Sequence, residues 1–407
     1  MKNILRMIGV IALVAIIGFA FVACGEDGGN NNNTACTICG ETPCVCPPPP
    51  PVNFNQEGIL YRLLNETGYE VLGFSYTKRA DVIIPETIND LPVTSIKQRA
   101  FYGCNAIKNI TIPASVIEIG DEAFWVTSLE TITFAEGSKL ESIGDEAFGC
   151  SKITEITIPA NVIEIGRAAF FDCKDLETVT FTEGSKLESI GDGAFLYSKI
   201  TEITIPASVI EIGNRAFGQT SYYSSYDSSL ETVTFAEGSK LESIGDEAFG
   251  CTKITEITIP ASVIEIGNLA FYGTSLETII FAEGSKLESI GDEAFNYTEI
   301  TEITIPASVI EIGNLAFASC QNLQVITFAG NSQLQTIGNW AFSFASIITI
   351  TIPISVTSIG EGAFALWQES QTIYIPSHTD EVSADLAWGV MWRKESDAVI
   401  IYGQSGN

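Results

Sequence analysis

The chain has 407 residues, 50 of them Asp or Glu against 20 Lys or Arg, giving a formal net charge of −30. This acidic excess excludes nucleic-acid binding, which needs clustered Lys and Arg to release counterions. The single histidine, His378, excludes His-relay catalysis and multi-histidine metal sites. With 46% hydrophobic and 10% aromatic residues, the chain nevertheless has material for a large core.

Residues 1–23 carry Lys2 and Arg6 and then an apolar run from Ile8 to Ala23, shorter than the ~20 residues of a membrane-spanning helix. This is the layout of a cleaved secretory signal. Phe21-Val22-Ala23-Cys24 resembles a bacterial lipobox. The resemblance implies that Cys24 is lipidated and that the chain is exported across the inner membrane, then anchored at the cell surface or outer membrane, with a periplasmic-facing anchor as the other placement. Residues 24–53 combine Gly28-Gly29, Asn30 to Asn33 and Pro47 to Pro51. Such a segment buries no core and reads as a spacer, flexible at first and stiff where the prolines run together. Within it Cys36, Cys39, Cys44 and Cys46 lie in C-x2-C-x4-C-x-C spacing, a pattern compatible with local disulfides in an exported protein or with a thiolate zinc site.

From residue 82 onward the pair Ala-Phe recurs, with Phe at 101, 124, 148, 170, 195, 217, 249, 271, 295, 317, 342 and 364. A period of this length, repeated this often, specifies a solenoid in which each unit buries its apolar face only against its neighbours. Two unit types alternate, one running from Leu129 to Phe148 and the other from Ile153 to Phe170. In the first, Ile132 and Phe134 alternate with Thr and predict a short strand. In the second, Pro159 ends the strand because it has no N–H to donate, as do Pro113, Pro206, Pro260, Pro306 and Pro353 in their units. Gly144 and Gly166 permit a turn, and Asp145-Glu146 is suited to opening one turn of helix above Ala147 and Phe148.

The pattern Ile205-Pro206-Ala207-Ser208-Val209, continued by Ile212-Gly213 and Ala216-Phe217, resembles the BspA-like leucine-rich repeats of bacterial and protozoan surface proteins. The resemblance extends over 82–376. It implies an α/β leucine-rich-repeat solenoid of about twelve coils, with a parallel β-sheet on the concave face and short helical turns and loops on the other. Residues 54–81 then form an N-terminal cap and 377–407 a C-terminal cap. It also implies a surface protein that binds ligands, by adhesion to host matrix protein, glycan or other cells, and it brings no catalytic residues and no cofactor. A structural role among envelope components is the alternative.

The outward positions of the strands form two columns. One holds Thr131, Glu155, Thr178, Glu202, Thr232, Glu256, Thr278 and Glu302; the other includes Thr133, Thr157, Thr180, Thr204, Thr234, Thr258 and Thr304. Together they predict a hydroxyl ladder edged with carboxylates, the candidate contact face. Between Phe217 and Leu230 one unit carries eight extra residues containing Tyr222, Tyr223 and Tyr226, residue types suited to an adaptable recognition loop. Cys104, Cys150, Cys173, Cys251 and Cys320 each follow the Phe of their repeat and are expected as small buried groups, with a Cys150 to Cys173 disulfide as an option. No G-x-S-x-G, H-E-x-x-H, P-loop or G-x-G-x-x-G pattern occurs. The acidic pairs at 121–122, 145–146, 246–247 and 292–293 match no dedicated Ca²⁺ loop.

Overall fold

The computed structural model describes residues 52–54, 58–64, 67–74, 79–218 and 229–404. The leader, Cys24, the four spacer cysteines and Tyr222, Tyr223 and Tyr226 lie outside the described residues.

The repeats wind as a parallel β-solenoid. Each coil begins with a strand of three or four residues, the first at Asp81–Ile83 and the last at Val399–Tyr402, fourteen in all among the described residues. Twelve of these open the coils whose corners the sequence marks with Ala-Phe. The other two, Thr372–Ile375 and Val399–Tyr402, follow the last Ala-Phe corner and continue the same parallel stack. They lack the corner motif because a different device closes this end. Between them lie helix α1 (Glu381–Trp388), capped by Asp380 accepting from the Ser383 amide, and a 3₁₀ turn over Val390–Arg393. The region expected to be only a cap from 377 onward thus contains a further coil strand.

After its first strand each of the twelve Ala-Phe coils makes a second, mostly two residues long, such as Glu118–Ile119 or Ser142–Ile143. These pair in unbroken parallel register from Leu91–Ile96 to Ser358–Ile359. The same sheet is extended by the antiparallel hairpin of Ile59–Leu64 and Gly68–Phe74, which covers the first coil.

The third side consists of turns rather than a helical turn. Coils are joined there by backbone hydrogen bonds such as Phe124 N to Ala147 O (2.7 Å) and Phe148 N to Ala169 O (2.8 Å). That route holds one residue per turn left-handed, for example Glu122 (φ 52°), Glu146 (φ 57°) and Glu247 (φ 54°), a geometry incompatible with helix. The Asp before it has a specific task. Asp145 Oδ1 accepts from Arg167 N (2.8 Å), and the series Asn214, Asp246, Asn268 and Asp292 each accepts from the amide one coil on, at 2.6–2.8 Å. Arg99, Arg167 and Arg215 add ion pairs to Glu122, Glu146 and Glu247 of an adjacent coil.

The corner phenylalanines fill the core. From Phe101 to Phe364 twelve rings lie face to face with successive centroids 4.8–5.8 Å apart. The stack terminates when Trp367 and Trp392 meet Phe364 edge-on. His378 rests against Trp388 in this closing layer, centroids 4.5 Å apart. Rings pack this closely because the Gly three residues before the Ala of each Ala-Phe after the first lets backbones nearly touch. A Cβ on Gly267 would stand 2.7 Å from the Asp246 amide nitrogen.

Candidate repeat-face binding site

The face expected to make contacts is the one carrying the longer strands. In Glu155–Ile158 and its equivalents the burial alternates, with Ile156 and Ile158 inward and Glu155 and Thr157 exposed. The structure aligns the two predicted columns: Glu155 stands beside Thr178, Thr157 beside Thr180, Glu202 beside Thr232, and Thr204 beside Thr234. Glu256 and Thr258 take the corresponding places, as do Glu302 and Thr304. Thr131 and Thr133 occupy the columns at Asn109 and Thr111.

The ladder is not uniform, however, and the reason is proline. Where a strand of the Glu type precedes one of the Thr type, all four residues pair in register. The joint is closed by an amide just past the second strand: Thr182 N to Ile158 O, Ala236 N to Ile205 O, Ala282 N to Ile259 O. At the alternate joints the corresponding residue is Pro206, Pro260 or Pro306, which has no N–H. These joints stay attached at one end, as by Lys199 N to Leu176 O (3.0 Å). Beyond that end Thr178–Phe181 and Glu202–Ile205 do not pair, nor do Thr232–Phe235 and Glu256–Ile259, and Thr278–Phe281 meets Glu302–Ile305 only at Thr278 and Glu302. Between Glu155 and Phe328 the face is therefore a row of two-strand units separated by seams, flanked by three-stranded groups at Asp81–Phe134 and at Thr349–Tyr402.

Clefts open along these seams, and three of them measure about 610, 650 and 660 Å³. Each has the same walls. In the central one Phe235 stands on one side and Glu256, Thr258 and Pro260 on the other, with Ser239 and Ser262 at one end. Ser262 Oγ donates to Ser239 O (3.0 Å), and Ser308 Oγ to Ser285 O (3.0 Å), bracing that end. Phe181, Phe235 and Phe281 are half-buried, so each cleft offers part of an aromatic ring. The threonine hydroxyls divide accordingly. Across tight joints they bond each other, Thr157 to Thr180 at 2.9 Å and Thr304 to Thr327 at 2.8 Å. Ile280 takes the place of the threonine that would face Thr258.

Sequence reasoning identified both columns but not the seams. The signal was present in the alternation of Ile-Pro with Phe-Ala after the strand, read only as a strand stop. The eight extra residues after Phe217 leave the core continuous, since Phe217 and Phe249 stack at 5.5 Å and 2°.

The five repeat cysteines are free. Cys173 is buried, donating to Phe148 O (3.2 Å) and lying 3.3 Å from Ser151 Oγ, whereas Cys150 sits in a left-handed turn with its thiol toward Asp172. Their different partners are why the optional disulfide does not form. Burial pushes the Cys173 thiol up to about 12 and those of Cys104, Cys150 and Cys320 to about 11, which opposes nucleophilic chemistry. Among the described residues no group of three or more His, Cys, Asp or Glu side chains is placed to hold a metal ion.

Residues 73–187, 184–287 and 288–386 match the BspA type leucine rich repeat region, in six copies. A leucine-rich repeat protein from Bacteroides ovatus is 24% identical, covers 86% of this chain and 100% of its own, and superposes with a TM-score of 0.55. The pneumococcal vaccine antigen PcpA is 22% identical over 86% of this chain and 98% of its own, with a TM-score of 0.49. A leucine rich cell surface protein from Faecalibacterium prausnitzii is 22% identical over 88% and 96%, with a TM-score of 0.41. No curated protein matches the sequence.

Proposed function

Because this chain belongs to the BspA-type leucine-rich repeat family, we propose that it is a non-catalytic, surface-anchored binding protein that contacts extracellular protein or glycan through the face of its longer strands. The observation that carries this reading is the periodic exposure of Glu and Thr on that face, interrupted by equivalent clefts. A solenoid presents such a surface over many coils without needing a single deep pocket. The leader-like residues 1–23, Cys24 and the proline-rich spacer support display at a distance from a membrane.

Adhesion to a matrix protein, a glycan or another cell is tested in two steps. Protease treatment of intact cells releases the repeats if they are displayed outside; full protection would instead favour the envelope role. Binding of the chain to immobilised matrix proteins and glycans is then compared with Glu202→Lys and Glu256→Lys together. Reversing two exposed charges on the face should weaken capture at least tenfold, and capture no stronger than that of an equally acidic unrelated protein refutes the reading.

A further inference from the structure

The seams raise a question of spacing. Clefts recur every second coil, and coils stacked ~4.8 Å apart in the unbroken sheet of the second strands place them about 10 Å from one to the next. Each presents the same set: a partly exposed Phe ring, a carboxylate across from it, and hydroxyls of Thr and Ser. A ring face packs on the C–H face of a sugar, while the carboxylate and hydroxyls accept from and donate to sugar hydroxyls. We propose that the three clefts are successive subsites for one extended, neutral, β-1,4-linked polysaccharide, lying along the solenoid with one disaccharide per two coils. This assignment rests on the reading of the longer-strand face as the contact surface.

Period and charge select that ligand. The disaccharide step of an extended β-1,4-linked chain matches the two-coil interval. An extended peptide presents same-side residues every ~7 Å and falls out of step by the second cleft. Glu202, Glu256 and Glu302, at the same position of each cleft, repel an anionic polymer, as does the net charge of −30. Proline keeps the arrangement open, since a donor at position 260 would allow Phe235 O to be hydrogen-bonded and draw the walls together.

The test uses the full chain and cello-oligosaccharides of two, four and six units, measured by calorimetry, with dextran, hyaluronan and a proline-rich peptide as comparators. Affinity should rise at least tenfold from two to four units and again from four to six, with no binding of dextran or hyaluronan. Phe235→Ala should reduce hexasaccharide affinity at least tenfold and leave the disaccharide within twofold, because two clefts remain. Glu256→Gln, which preserves shape, should give a loss of about fivefold and reads the same cleft even where Phe235→Ala fails to fold. Affinity independent of length, equal binding of dextran, or binding of the proline-rich peptide alone would overturn the proposal. If the glycans fail but Glu202→Lys with Glu256→Lys still abolishes capture of a matrix protein, only the glycan assignment falls; if no ligand senses that double variant, the contact face falls with it.

Discussion

The close approach of successive coils at the glycine file can be tested with one added methyl group. At Gly267 a Cβ would lie 2.7 Å from the Asp246 amide nitrogen, from Asp246 Oδ1 and from the Gly245 carbonyl carbon, where ordinary contact begins at 3.4 Å. The backbone would have to move by about 0.7 Å, and Asp246 Oδ1 would have to give way as well, losing the bond it accepts from Asn268 N (2.7 Å). Overpacking of this kind costs about 1–3 kcal/mol. Loss of the hydrogen bond adds about 0.5–1.5 kcal/mol. Gly267→Ala should therefore destabilise by about 2–4 kcal/mol. Gly330 serves as the control, because a Cβ there meets nothing within 4 Å and the residue is not left-handed. Gly330→Ala should be neutral or stabilising by up to about 1 kcal/mol, through the unfolded chain. Urea unfolding followed by circular dichroism gives both midpoints. Equal midpoints would refute the claim that glycine is required where coils touch.

Three further outcomes are expected. Phe249→Ala, removing a buried ring stacked at 5.5 Å on both Phe217 and Phe271, should cost about 3–5 kcal/mol by urea unfolding, and a loss under about 1 kcal/mol would show that the stack is not the core. Pro260→Ala supplies an N–H facing Phe235 O; the new bond offsets the lost rigidity of proline, so stability should change by less than about 1 kcal/mol. Hydrogen exchange decides that case, since slow exchange of the new amide indicates a closed seam and rapid exchange refutes the role given to proline. Finally, the buried thiols should make stability fall as pH rises from 9.0 toward about 12, because they ionise in the unfolded chain and stay neutral in the fold. Below 9.0 they contribute no pH dependence. Mass spectrometry after iodoacetamide at pH 8 should find Cys173 and Cys320 unmodified in the native chain, and rapid alkylation of either would contradict their burial.

What the sequence determined was the repeat itself. The period of Ala-Phe, the alternation of Ile with Thr, and Pro after every second strand are local facts, and they suffice for a solenoid with inward Ile and outward Glu and Thr. They also locate the acidic excess: Glu recurs at exposed strand positions and Asp at the turns. What the sequence did not determine depends on groups from neighbouring coils. Asp145 reads equally well as a helix start or as an acceptor; only the position of the Arg167 amide, one coil on, decides for the second. Left-handed Glu146 follows from that inter-coil ladder, not from its own preference. The final strand at Val399–Tyr402 lacks the repeat motif and is recognisable only through its pairing with Thr372–Ile375. The clefts belong to the same class, because a missing N–H on Pro260 has meaning only where the Phe235 carbonyl of the preceding coil stands opposite it. Sequence fixes what each coil contains, while the cost of leaving backbone groups unpaired between coils decides where the stack closes and where it opens.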